Sequence, residues 1–287
     1  MKKLLICPGK RTAMGILADR IPLVQIPIFG QTLVEYWLSH LACTGFKHAA
    51  LLASDRPESL QALVQDAGRW GMELEVIPES RELTLAEVLL KYDQLIGSEQ
   101  NNVTVLDHLP GVPESTLFKD HATFFNAIRA WMPHCLMPDR VGIRQLAPGI
   151  WAGLHARVSA SAQLKAPCWL GRSVSVGNGA MIGPGAVIED GSMIEPETEI
   201  VESYIGPDTL VGQGGVIRDS IAWGNALINW KSGSVAEIRD AFILCGLRRP
   251  RVSSGPSWIE RVSEMCASGK EEALFIKDLL INKEGSS

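Results

Sequence analysis

An aliphatic residue returns every six positions between residues 158 and 217, and this period constrains the fold more than any other feature of the chain. Eight members hold one phase: Val158, Leu164, Leu170, Val176, Ile182, Ile188, Ile194 and Ile200. Three more resume it after a slip of one residue: Ile205, Val211 and Ile217. A period of six fits neither the 3.6-residue turn of a helix nor the alternation of an open strand. It predicts very short strands that stack into a solenoid, with each aliphatic pointing inward.

A second, smaller side chain follows most of these aliphatics by four positions. The series is Ala162, Cys168, Val174, Ala180, Ala186, Ser192 and Thr198. Small residues suit a narrow interior, and the glycines between them allow turn conformations that a β-carbon disfavours. Cys168 is therefore interpreted as a core residue. The alternative, a β-sandwich with a chance period, requires that many consecutive matches be accidental.

On these residues the repeat resembles the hexapeptide-repeat, left-handed parallel β-helix found in many acyltransferases and in the tails of sugar-nucleotide pyrophosphorylases. Hexapeptide acyltransferases use a histidine at the cleft between subunits as a proton acceptor. His155 is the one histidine of the hexapeptide region over 148–250, which is called the coil below. It is either such a base or, on the simpler interpretation, a surface or capping residue.

At 287 residues, the chain is long enough for two domains of ordinary size. We predict an α/β domain over 1–147, the β-helix over 148–250 and a helical C-terminal segment over 251–287. Trp223 and Trp230, near the end of the repeat, are expected to cap the solenoid or contact a neighbour.

The composition limits which binding partners and which cell compartment we expect for this chain. With 46% hydrophobic and 21% charged residues, the chain is typical of soluble globular proteins. A net charge of −5 offers no basic surface for nucleic acid. No apolar run is long enough to cross a bilayer, and the apolar start meets Cys7-Pro8-Gly9 too soon for a signal peptide. We expect a cytoplasmic protein without a membrane span.

The first half alternates apolar strands with amphipathic helices. Strands are predicted over 4–7, 48–53, 74–77 and 103–106, and helices over 32–45, 57–70, 83–96 and 118–131. This alternation favours a mainly parallel, Rossmann-like sheet that binds its ligand at the carboxyl ends of the strands. The loop at Gly9 and the carboxylate of Asp107 would then lie on one edge.

The residues of this half resemble the start of a sugar-1-phosphate nucleotidyltransferase. Three segments carry the resemblance: the glycine-containing loop over 9–14, the approach to a proline step over 19–23, and the stretch over 27–36 that leads into a helix. The resemblance implies that the loop binds nucleotide phosphates and that Asp107 binds Mg²⁺. If the protein is active, Lys10 and Arg11 would be the catalytic cations and would hold the phosphates. The implied nucleotide-binding residues are Pro8, Gly9, Lys10, Arg11 and Thr12. A simpler interpretation of Asp107 is a solvated residue that caps the following turn.

The chain also departs from the family pattern. Ala13 stands where the family has an arginine, Leu23 where it has a lysine, and Arg11 where it has the second loop glycine. Phosphoryl transfer depends largely on positive charge, so the two lost cations weaken the case for catalysis unless Lys10 and Arg11 compensate. The resemblance covers roughly residues 3–110, and the sugar-binding half is abbreviated or supplied by another chain.

Three hypotheses follow for function. The first is a sugar-1-phosphate nucleotidyltransferase-like protein that makes or binds nucleotide sugars for surface polysaccharide synthesis. Its small-molecule ligands would be a nucleoside triphosphate and a sugar 1-phosphate, with Mg²⁺ as cofactor. The second is a catalytically inactive scaffold or regulatory pseudoenzyme. The third, acyl transfer at the coil, depends on His155 alone. The coil faces and terminal helices also predict a homo-oligomer.

Overall fold

The first part of the chain alternates strands and helices. A computed structural model of the protein describes residues 2–96, 102–112, 116–134 and 142–247. The strands of this part are β1 (Lys2–Ile6), β2 (Pro27–Ile28), β3 (Gln31–Thr32), β4 (His48–Ala53), β5 (Glu73–Pro78) and β6 (Val103–Val105). The helices are α1 (Gly15–Arg20), α2 (Leu33–Cys43), α3 (Pro57–Gln65), α4 (Leu85–Lys91), α5 (Asp93–Ile96) and α6 (His121–Trp131). Short 3-10 turns cover Thr12–Met14, Leu23–Gln25, Ala67–Trp70 and Met132–His134.

Four strands form a parallel sheet in the order β5-β4-β1-β6. Alternate residues of β1 enter different cores: Leu5 packs in the larger one, whereas Leu4 and Ile6 pack in a smaller one on the opposite face. Both faces of the central strands β1 and β4 are buried, which explains why these two strands are largely apolar runs, whereas the edge strand β5 alternates exposed and buried residues. The carboxyl ends of β1 and β6 are neighbours, so the loops that follow them meet at one edge.

Capping residues set helix boundaries that the apolar pattern predicts less well. Helix α6 begins at His121, three residues after the predicted start, because Asp120 accepts a hydrogen bond from the backbone N–H of Thr123 at 2.7 Å. The predicted helix over 83–96 is divided into α4 and α5, and Thr84 caps the first. The predicted helix over 57–70 ends as α3 at Gln65 and continues as a 3-10 turn.

The hexapeptide region consists of many short, mostly parallel strands, as predicted, and is compatible with a β-helix. Strands three hexapeptides apart are paired, as in the ladder from Gln163 through Met181 to Glu199. The strands are β7 (Arg144–Ala147), β8 (Ile150–Ala152), β9 (Arg157–Val158), β10 (Gln163–Leu164), β11 (Cys168–Leu170), β12 (Ser175–Val176), β13 (Met181–Ile182), β14 (Ala186–Ile188), β15 (Met193–Ile194), β16 (Glu199–Val201), β17 (Tyr204–Ile205), β18 (Thr209–Val211), β19 (Val216–Arg218), β20 (Ser220–Trp223), β21 (Ala226–Asn229), β22 (Val235–Glu237) and β23 (Leu244–Gly246).

The repeated aliphatics form the interior of this stack. From Val176 to Val211 they are at most 4% exposed and share one apolar cluster with Cys168, which is confirmed as a core residue. Burial raises the pKa of the Cys168 thiol to about 12. The parallel ladders end near β20: β21 pairs antiparallel to β20, β22 pairs antiparallel to β21, and β23 pairs antiparallel to β18.

One face of the stack is covered by the first part of the chain. The outward residues of β8, β11, β14, β17 and β20 belong to the same core as α2 and α6: Trp151, Trp169, Val187, Tyr204 and Ile221. Trp230 stacks on Phe125 of α6 with ring centroids 4.8 Å apart, so it contacts another part of the same chain. Residues up to Leu247 thus form one compact unit.

The boundary predicted between 147 and 148 stays a prediction, and the segment predicted over 251–287 lies outside the described residues. Within the described residues, no helix combines the length and the apolar character needed to cross a membrane.

Candidate functional site

A pocket of about 480 Å³ lies at the carboxyl ends of β1 and β6. It brings together four residues of the predicted site, Lys10, Arg11 and Thr12 from the first loop and Asp107 after β6. The other lining residues are Ala13, Thr116, Phe118 and Lys119. This volume lies within the range of about 300–1,000 Å³ that small-molecule sites occupy. Four of the eight lining residues are thus ones predicted from the sequence, while the predicted Pro8 and Gly9 are not among the lining residues.

The segment before α6 closes the far side of the pocket. The N–H of Leu117 donates to the carbonyl of Asp107 at 2.7 Å, which folds this segment back over the end of β6. The ring nitrogen Nε2 of the buried His121 lies 3.2 Å from the carbonyl oxygen of Met14, at the end of the first loop. Because the Asp120 cap delays α6, Lys119 precedes the helix and lines the pocket.

Two of the three cations that line the pocket are paired with carboxylates. Lys10 contacts Asp19 at 2.5 Å, and Arg11 contacts Glu82 at 2.6 Å. Lys119 forms no ion pair with any residue that the structure describes. Its charge does contribute to lowering the pKa of Asp120, after the larger effect of the hydrogen bond from the Thr123 N–H. Lys119 is therefore the cation most available to an anionic ligand.

The Glu82 carboxylate accepts hydrogen bonds from two groups of the first loop. Its Oε2 accepts from the N–H of Gly9 at 2.9 Å, while its Oε1 accepts from Arg11. A β-carbon at Gly9 would lie 3.2 Å from Ser54 Oγ, which is a tight contact, and 3.5 Å from the Glu82 carboxylate, which is an ordinary one. The loop predicted to bind phosphate thus holds a side-chain carboxylate of the same chain.

Asp107 is paired with the following histidine. Its Oδ1 lies 2.8 Å from Nδ1 of His108, whose ring packs edge-on against Trp37. No group of three or more His, Cys, Asp or Glu among the described residues could hold a metal ion. Mg²⁺ often binds through one or two carboxylates together with substrate phosphates. Asp107 fits that mode, and the site does not fit a metal held by protein ligands alone.

Ala13 and Leu23, the two positions at which the resemblance predicts cations, have different surroundings. Ala13 lines the pocket, so its small side chain leaves space beside the loop. Leu23 is fully buried in the larger core and points its bulk away from solvent. A charged residue at position 23 would have to be desolvated in this packing. The structure therefore offers a place for a cation at residue 13 but not at residue 23.

Two other reactive side chains fall outside this arrangement. Burial raises the pKa of the Cys7 thiol to about 12, with a smaller contribution from the negative charge of Glu82, so this thiol is protonated at neutral pH. His155 is exposed in the turn after β8, with a φ of 60°, and is not among the residues that line the pocket. The hypothesis of acyl transfer gains no support from these surroundings.

Sequence reasoning missed Glu82, Thr116, Phe118 and Lys119. One signal could have found Lys119, because Asp120 and Thr123 have the spacing of a capping box and place the preceding residues outside the helix. Glu82 carries no comparable signal, since its contact with Gly9 spans 73 positions. No known protein family model matches this sequence.

Proposed function

We propose that this protein is a sugar-1-phosphate nucleotidyltransferase-like protein that binds a phosphate-bearing nucleotide or nucleotide sugar in the pocket between β1 and β6. The proposal includes a nucleotidyltransferase-type first domain and a left-handed hexapeptide β-helix behind it. The single observation that carries it is that Lys10, Arg11, Thr12 and Asp107 line the same pocket as Lys119.

Each group has a role that its chemistry suits. Lys119 and Lys10 would neutralise phosphate oxygens, and the hydroxyl of Thr12 would donate a hydrogen bond to them. Asp107 would hold a Mg²⁺ ion that arrives with the phosphates. If the protein catalyses a reaction, these groups would position a sugar 1-phosphate for attack on the triphosphate with release of pyrophosphate.

A second candidate is a protein that binds the nucleotide without turning it over, and the Glu82 carboxylate at the loop favours it. In-line transfer between two anionic phosphates needs positive charge at the reacting groups. Here Glu82 neutralises Arg11, Asp19 neutralises Lys10, and Ala13 contributes no charge. Such a pocket retains the means to bind an anion but has few cations left for the transition state.

Calorimetric titration with nucleoside triphosphates and Mg²⁺ tests the binding that both candidates share. We expect Lys119→Ala to weaken affinity by about tenfold or more, since a hydrogen bond to a charged group is worth about 1.5–3 kcal/mol. Lys165→Ala, which removes an exposed cation of the coil, is the matched control and should leave affinity unchanged. Equal affinity in all three proteins would place the ligand elsewhere and reject the proposal.

An assay for pyrophosphate release separates the two candidates. It should be run with several sugar 1-phosphates on the wild-type chain and on Ala13→Arg, which adds a cation where the structure has space. Turnover by the wild type supports the enzyme. Binding without turnover supports the inactive protein, and turnover gained in Ala13→Arg would identify the missing charge as the cause.

A further inference from the structure

Glu82 satisfies two of the donors that a bound phosphate could use at the first loop, the Gly9 N–H and the Arg11 guanidinium. Its two carboxylate oxygens accept separately, one from the backbone N–H of Gly9 and the other from the guanidinium of Arg11. A backbone N–H beside an arginine commonly binds a phosphate oxygen, and the Gly9 N–H together with the Arg11 guanidinium is called the anion seat below. In this chain the seat holds an anion that is part of the protein.

We propose that Glu82 is a built-in competitor for this anion seat, so that a ligand must displace its carboxylate from Gly9 and Arg11 before its phosphates bind fully. The inference depends on the proposed function, since Arg11 lines the proposed pocket, while Gly9 and Glu82 lie beside it. It makes Glu82 an autoinhibitory contact that sets how strongly, and for which anions, the pocket binds.

The surroundings of Glu82 allow its side chain to leave without unfolding the loop. The side chain is 26% exposed, and its partner Arg11 is 41% exposed, so both groups can be rehydrated when they separate. The backbone nearby is anchored independently: Arg81 donates to the carbonyl of Glu82 and pairs with Glu87, and Thr84 caps α4. Displacement therefore needs a rotation of the side chain rather than a rearrangement of the segment.

The competition also selects the chemical class of ligand. A ligand with a carboxylate or a single phosphate would only replace the Glu82 carboxylate with another anion, so its binding would gain little free energy. A polyphosphate would replace Glu82 at Gly9 and Arg11 and could also reach Lys119, which lines the same pocket and forms no ion pair among the described residues. The pocket should therefore prefer tripolyphosphate and nucleoside triphosphates to inorganic phosphate and acetate.

The test is a titration of the full chain with sodium tripolyphosphate, inorganic phosphate and acetate. We expect Glu82→Ala to bind tripolyphosphate about tenfold or more tightly than wild type, because Arg11 and the Gly9 N–H become available for charge-assisted hydrogen bonds. Glu82→Gln keeps the shape and removes the charge, and it should show a smaller gain in the same direction. Glu199→Gln is the matched control, since it neutralises a carboxylate that is likewise paired with an exposed arginine but lies on the hexapeptide stack away from the pocket, and it should change nothing.

The outcomes separate this inference from the proposed function. Binding by wild type with no gain in either Glu82 variant would overturn the competition and leave the proposed function intact. No binding by wild type or by either variant, with thermal unfolding showing folded proteins, would reject both. A gain in affinity in Glu82→Ala that is lost when Lys119→Ala is added to the same chain would support the inference and the proposed function.

Discussion

Two carboxyl groups accept hydrogen bonds from loop amides of the first part of the chain, and their surroundings differ. Glu82 accepts from Gly9 beside the pocket and keeps part of its side chain in solvent. Glu189, at the end of β14, accepts from the N–H groups of Phe29 and Gly30 at 2.6 and 2.7 Å and is fully buried. The same pairing therefore occurs once at a solvent-accessible edge and once inside the joint at which the turn between β2 and β3 packs against the coil.

The difference in burial decides what each contact can do. When a buried acceptor is removed, its donors are left without a hydrogen-bond partner because water cannot reach them. When an exposed acceptor is removed, solvent or a ligand takes its place. Around Glu189 the joint is closed by further contacts: Tyr204 donates to the carbonyl of Pro27 at 2.9 Å, and Trp169 packs edge-on against Phe29. We infer that Glu189 fixes the joint, while Glu82 is exchangeable.

The largest expected effect is at the buried contact. Glu189→Ala should destabilise the protein by about 2–5 kcal/mol, because two backbone donors lose their acceptor in the interior. Urea unfolding measures this change. Glu199→Gln, which breaks an exposed pair with Arg218 on another face of the coil, is the control and should cost no more than about 1 kcal/mol. Similar losses for the two variants would contradict the role assigned to Glu189.

The glycines of the two contacts sharpen the comparison. Gly30 has a φ of 76°, and a β-carbon there would lie 3.0 Å from the Asp190 carboxylate, so Gly30→Ala should cost about 1–3 kcal/mol. Gly9 has no positive φ and meets its nearest atom at 3.2 Å, so Gly9→Ala should cost less than about 1 kcal/mol. Thermal unfolding of the two variants compares them directly, and a larger loss at Gly9 would reverse the assignment.

A smaller effect is expected from the hydroxyl beside the buried carboxyl group. Burial, with the nearby negative charges of Glu189 and Asp190, raises the pKa of Tyr204 well above its usual value, so the hydroxyl stays protonated and donates to Pro27. Tyr204→Phe should cost about 1 kcal/mol in urea unfolding, because the carbonyl loses its partner and the ring is kept. No loss would show that this donor adds nothing to the joint.

The smallest expected effect on stability is at the exchangeable contact. Glu82→Ala should change the free energy of unfolding by less than about 1 kcal/mol, as is typical of partly exposed ion pairs. Measured beside Glu189→Ala under identical conditions, it completes the comparison. A loss as large as that of Glu189→Ala would mean that Glu82 is structural, and the proposed displacement would then be disfavoured.

Much of the architecture was predictable because it depends on local patterns. The period of six indicated the stacked short strands, and the apolar runs indicated the strands β1, β4, β5 and β6. The pocket edge followed from the rule that parallel strands place their carboxyl ends together. Helix starts were predicted less well, since the side chain of Asp120, rather than the apolar pattern, fixes where α6 begins.

Contacts between distant residues were not predictable in this way. The pairing of Glu82 with Gly9 spans 73 positions and that of Glu189 with Phe29 spans 160, and no periodicity relates such partners. The outward tryptophans of the coil carried a partial signal, because Trp151 and Trp169 lie 18 positions apart and are paired across neighbouring strands. That spacing did not reveal which surface would cover them.

By itself the sequence determined the repeating coil, the parallel sheet and the edge at which Lys10 and Asp107 would meet, because these follow from side-chain periodicity and chain direction. Only the tertiary structure decided that Lys119 lines the pocket, that the Glu82 carboxylate accepts from Gly9 and Arg11, and that Glu189 joins the coil to the turn between β2 and β3. Each of these depends on the distance and burial of groups far apart in the chain, which only the folded packing sets.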